Sequence, residues 1–135
     1  MKKGFVLFLA VVTLGVVGCK PDLVVKDAQI DFTAKTVTVE VKNIGTGNAG
    51  EHLTYIEVNH VGATTGTPEA QHSARIAGIS KGTSWLSGPI PFASFSTRPG
   101  MDLNSLTSAN LVVRADAKNM VEESDETNNT YDANH

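Results

Sequence analysis

Residues 36–43 read TVTVEVKN, and this stretch decides the fold. Val37, Val39 and Val41 alternate with Thr38, Glu40 and Lys42, the period of two that a strand shows when one face is buried. Upstream, Asp22 to Phe32 carries Leu23, Val24 and Val25, then Ala28, Ile30 and Phe32 on alternate positions. Downstream, residues 44–50 read IGTGNAG. Glycine and asparagine there are expected to supply the positive φ of a turn or bulge.

The same grammar continues to the end of the chain. Thr54 to Val61 predicts a third strand, with Ile56 and Val58 on one face and Tyr55 and Glu57 on the other. Gly62 to Gln71 reads as a polar loop, and Ser73 to Ile79 and Thr83 to Ser87 as weaker strands. Pro89 and Pro91 restrict Ile90 to a sheet edge, because proline cannot donate to a ladder. Arg98-Pro99-Gly100 is a turn, and Asp102 caps a short helical turn through Leu106. Asn110 to Asp116 and Thr127 to Ala133 are the last two strands. About seven short amphipathic strands predict an all-β fold, two antiparallel sheets packed face to face in an immunoglobulin-like β-sandwich. Its core is expected from the strand valines with Ile30, Phe32, Ile56, Trp85 and Val113. The short final strand predicts that its neighbour, Asn110 to Asp116, is only partly covered, so that a partner's strand could dock beside residues 127–133.

Ahead of this domain stands MKKGFVLFLAVVTLGVVGC. Lys2 and Lys3 precede an apolar run, Phe5 to Val17, and Gly18 sits directly before Cys19, the only cysteine. That order reads as a secretory signal. The run is too short to span a bilayer, which takes about 20 apolar residues for ~30 Å of hydrocarbon. VVGC resembles a bacterial lipobox, which implies acylation of the Cys19 thiol and cleavage just before it. The expected organisation is a lipoprotein signal peptide over 1–18, a lipidated N-terminus and short tether over 19–21, and a β-sandwich over 22–135. The expected location is the cell membrane or outer membrane. Lys20 is not the aspartate associated with inner-membrane retention, which favours the outer membrane where one exists. Two or three acyl chains, at about 0.8 kcal/mol per buried CH₂, hold where one would not.

Removing residues 1–18 leaves 117 residues, one domain, and shifts the net charge from −3 to −5. An acidic surface excludes a nucleic-acid footprint, which needs a basic face to displace counterions.

Three stretches together carry a family resemblance: PDLVV at 21–25, VTVEVKNIGTGNAG at 37–50 and ADAKNMVEESDETNN at 115–129. In this order they resemble the CARDB domain, the cell-adhesion-related domain found in bacteria. The specific part is the closing motif, with Glu123, Ser124, Glu126, Asn128 and Asn129. The resemblance implies an immunoglobulin- or fibronectin-III-like sandwich of seven strands. It also implies a non-enzymatic surface module with an adhesion role. The family commonly occurs in tandem copies, whereas this chain holds one.

Two chemistries fit the closing segment. Asp116, Glu123, Asp125, Glu126 and Asn128 offer oxygen ligands at a density that could hold calcium, which takes six to eight oxygens. Their spacing is not that of an EF-hand. Alternatively, the segment is a hairpin in which Asn and Asp side chains bond nearby backbone amides while Val121 plugs the core. His52, His60, His72 and His135 lack the spacing of a zinc site, and no serine sits in a G-x-S-x-G elbow. With aromatic residues at only 6%, a sugar-stacking platform is not expected. The expected partners are the membrane, through the lipid, and an envelope protein or polymer. The alternatives are an accessory subunit of an envelope complex and a calcium-dependent binding module.

Overall fold

The structure, a computed structural model, describes residues 18–63 and 66–135. The signal peptide expected over 1–18 lies outside the described residues, apart from Gly18. Nine strands follow in chain order: β1 Leu23–Asp31, β2 Thr36–Asn43, β3 His52–Asn59, β4 Ala70–Ile76, β5 Ser84–Leu86, β6 Ile90–Pro91, β7 Ser96–Thr97, β8 Asn110–Arg114 and β9 Thr130–Asn134. All pair antiparallel. One sheet runs β1-β2-β5, with β6 also on β2, and the other runs β7-β4-β3-β8-β9. Two sheets with one core between them make the expected β-sandwich, and seven of the strands have three residues or more. Among the described residues, no helix is long and apolar enough to cross a membrane.

β2 behaves as its alternation requires. Val37, Val39 and Val41 are buried while Thr38 is exposed. β1 pairs with it from Leu23↔Asn43 to Asp31↔Thr36, and the register shifts between Val25 and Asp27. That bulge explains the break in the apolar pattern, since one unpaired residue returns Ala28 to the buried face that Leu23 occupies. The turn to β2 is closed by the Asp31 carboxylate, which accepts the Thr33 and Ala34 amides at 2.8 and 2.7 Å.

Several expectations are corrected. Ile30, Phe32 and Trp85 are only partly buried and pack against the rim of the core. Their places are taken by Leu23, Ile79, Phe92, Phe95, Leu103 and Leu106. β3 starts at His52 and ends at Asn59, and β4 starts at Ala70, earlier than expected. The sequence AQHSARI offers β4 small inward residues, so pairing to β3 rather than hydropathy sets its limits. β9 starts at Thr130 because Thr127 to Asn129 bond elsewhere. It pairs with all five residues of β8, from Asn110↔Asn134 to Arg114↔Thr130. With β3 on its other side, β8 has no open edge. The glycines at 45, 47 and 50 do not adopt positive φ. Gly45 and Gly47 serve close approach instead: a Cβ at 45 would stand 2.5 Å from the Asp22 nitrogen, and one at 47 would overlap the Cys19 carbonyl.

Candidate functional site

The loop from β8 to β9, residues 115–129, closes the end of the sandwich at which β1 starts. It has no regular structure, so its amides need partners other than a strand ladder. Asp116, 1% exposed and at φ 45°, accepts the Met120 and Val121 amides, one on each oxygen, both at 2.8 Å. Those bonds turn Val121 into the core, where it is buried. Glu126 accepts the Glu123 amide at 2.9 Å. Asp125 accepts both the Thr127 amide and hydroxyl, and these bonds hold its carboxyl below the usual range.

The same loop grips the start of β1, about a hundred positions away. Glu123, 5% exposed, accepts the Leu23 amide on one oxygen and the Asn129 carboxamide on the other, the latter at 2.8 Å. The Ser124 amide donates to the Pro21 carbonyl at 2.9 Å, and the Asn128 carboxamide donates to Asp22 at 2.8 Å. Lys20 pairs with Glu122. All five residues of the closing motif therefore take part in one clasp. From the other side, the Ile44 amide donates to the Asp22 carbonyl, and the Thr46 and Gly47 amides donate to the Lys20 carbonyl. The stretch 19–21, expected as a short tether, is bonded into the domain from Lys20 onward. Cys19 itself is exposed.

Of the five calcium-ligand candidates, the structure brings three together. Oxygens of Asp116, Glu123 and Glu126 lie within 4.8 Å of one another. Asp125 is turned onto Thr127, and the Asn128 carboxamide onto Asp22. No lysine or arginine pairs with the three among the described residues. Burial, with the negative charges of Glu126 and Asp116, pushes the Glu123 carboxyl up to about 7, against the pull of its Leu23 and Asn129 hydrogen bonds. The histidines stand apart. His52 is buried on Gly50, His60 pairs with Glu69, His72 packs on Phe95 and His135 on Tyr131.

A second place was not legible in the sequence. On the outer face of the five-stranded sheet, a groove of about 320 Å³ opens beneath the described part of the β3–β4 loop. Glu57 points outward from β3 yet is only 6% exposed, and its carboxylate binds Arg114 of β8. Register puts these two side chains together, since Tyr55 lies opposite Arg114 and Glu57 opposite Val112. Val112 and Asp132 line the same groove, and Arg98 stands at its rim without an ion pair among the described residues. Glu57 was expected only as an outward residue of its strand. Its burial depends on a loop whose position the strand pattern does not encode.

Comparison with known proteins agrees with this architecture. A solution NMR structure of residues 272–376 of a candidate cell surface protein from Methanosarcina acetivorans is similar, with a TM-score of 0.56 and 20% identity. The match covers 85% of this chain and 90% of that one, and it supports the fold. A search of the curated proteins found no match. The family model for CARDB matches residues 20–133, from the clasped N-terminal segment to β9, and the chain belongs to the CARDB family.

Proposed function

We propose that this chain is a non-enzymatic module of the cell envelope, exported, held at the cell membrane or outer membrane through acyl chains on Cys19, and binding an envelope protein or polymer. The groove over Glu57 and Arg114 carries the binding part of this reading. It joins an ion pair to amide and hydroxyl groups of Asn59, Asn110 and Thr130, a lining suited to a polar chain. Membership of CARDB, a family of surface modules, supports the same role.

The test is capture by the lipidated protein from its own membranes. Arg98 lines the groove without an ion pair among the described residues, so wild type should retain a protein or polymer that Arg98→Ala loses, while both proteins melt alike. Retention unaffected by Arg98→Ala would remove the groove from the account. The accessory-subunit alternative loses the observation that favoured it, because β9 covers β8 in full. The calcium-dependent alternative keeps one, the carboxyl oxygens of Asp116, Glu123 and Glu126 within 4.8 Å of one another, with no lysine or arginine paired to them among the described residues. It requires that millimolar calcium raise Tm by mass action and that Asp116→Asn abolish the rise.

A further inference from the structure

Residues 20–22 leave Cys19 almost no slack. The Lys20 carbonyl accepts two amides at 2.9 Å, the Pro21 carbonyl accepts one at 2.9 Å, and the Asp22 carbonyl accepts one at 2.8 Å. Free chain therefore begins at Cys19 itself, and one residue spans at most about 3.6 Å. Whatever holds Cys19 must lie close to the two loops that grip its neighbours, residues 44–51 and 115–129.

Each of those loops presents a large apolar side chain to solvent, Ile44 at 53% and Met120 at 45% exposure. Ile44 is the residue whose amide binds Asp22, and Met120 lies two positions before Glu122, the partner of Lys20. Among the described residues, the other exposed large hydrophobics are Val61 and Leu86. Val61 follows the far end of β3, and Leu86 lies on β5, the edge strand of the other sheet. Of the acids in the clasp, Glu122 is paired with Lys20 and Asp116 and Glu123 are buried, while Asp125 and Glu126 are exposed. Any hold of this end on a lipid surface therefore rests on the apolar side chains and the anchor, not on charge.

Resting on acylation of Cys19, as proposed above, we infer that the end of the sandwich formed by loops 44–51 and 115–129 lies directly on the lipid surface that holds the anchor. Ile44 and Met120 seat at headgroup level, where an apolar side chain leaves water without crossing the bilayer. The domain stands on this end, and the groove over Glu57 and Arg114 faces sideways, clear of the lipid.

Cys19 is the sole cysteine, so in the acylated protein an added cysteine is the only free thiol. Ile44→Cys, Met120→Cys, Val61→Cys and Leu86→Cys would each carry an environment-sensitive fluorophore. The lipidated proteins would be reconstituted into phosphatidylethanolamine–phosphatidylglycerol vesicles containing a lipid-borne quencher. Labels at 44 and 120 should shift to the blue and lose emission to the quencher, while labels at 61 and 86 should stay water-like. Four equally water-like labels, in protein whose intact mass shows acyl chains on Cys19, would overturn the seating and leave the anchor standing. Protein without acyl mass that fails to float with the vesicles would take down the anchor and the seating together.

Discussion

The two longest loops joining neighbouring strands of the five-stranded sheet solve the same problem differently. Residues 115–129, between β8 and β9, turn Asp116, Glu123, Asp125 and Glu126 onto backbone amides and Ser124 and Asn128 onto Pro21 and Asp22. The loop between β3 and β4 has fewer bonds over its described part. The Ala63 amide donates to the His60 carbonyl, Glu69 accepts from His60, and the Asn59 carboxamide accepts the Glu69 amide. Asn, Asp and Glu are abundant in the first loop, and what they bond makes it a structural element without regular dihedrals. Polar composition alone would have ranked both loops as surface.

The largest test of this contrast is Glu123→Ala. It strips acceptors from the Leu23 amide and the Asn129 carboxamide, both buried, and unsatisfied buried donors cost about 1–3 kcal/mol each. Urea unfolding should show a loss of about 2–4 kcal/mol. The matching change in the other loop, Glu69→Ala, removes bonds at an exposed site and should cost about 1 kcal/mol or less. Equal losses would mean that the two loops do not differ as described.

The other jaw of the clasp is tested by Gly47→Ala. A methyl there meets the Cys19 backbone, which cannot retreat without breaking its neighbours' bonds. Overpacking of this kind typically costs about 1–3 kcal/mol. At Gly66 an added Cβ meets nothing within 4 Å, so Gly66→Ala should change stability by about 0.5 kcal/mol or less in the same assay.

The last effect concerns pH. The Glu123 carboxyl has an ordinary value of 4.5 and sits at about 7 in the fold. Below 4.5 it is protonated whether the chain is folded or not, and it leaves stability unchanged. As pH rises from 4.5 to 7 the unfolded chain ionises it first, so stability falls, on the order of 1–3 kcal/mol at most. Glu123→Gln keeps an acceptor for the Leu23 amide, and Asn129 can turn its carboxamide to match. That variant should lose the downward slope of stability between pH 4.5 and 7. An unchanged slope would assign it to other groups.

Much of the fold was legible because β2 alternates without a fault, and because proline, glycine and asparagine mark the turns around it. β4 and β9 were misplaced by a few residues for a physical reason. Ala70 to Ala74 are too small and polar to stand out by hydropathy, and Thr127 to Asn129 look like strand but are drawn into the clasp. The closing motif was visible as a cluster of acids and amides. Its partners were not, because Pro21 to Leu23 lie a hundred positions away. The burial of Glu57 needed both register and an overhanging loop, and neither is written in local pattern.

The grip on residues 20–23 also determines how the molecule would carry load. Tension entering at Cys19 does not reach β1 as a pull on a free strand end. It divides at once between the 44–47 loop, continuous with β2 in one sheet, and the 122–128 segment, continuous with β9 in the other. A strand held only along one edge opens bond by bond, like a zip. Here bonds from residues 20 to 23 to loops of two different sheets must fail before Leu23 can move. With the anchor proposed at Cys19, drag on the outer parts of the domain would be shared between the two sheets before it reached that residue.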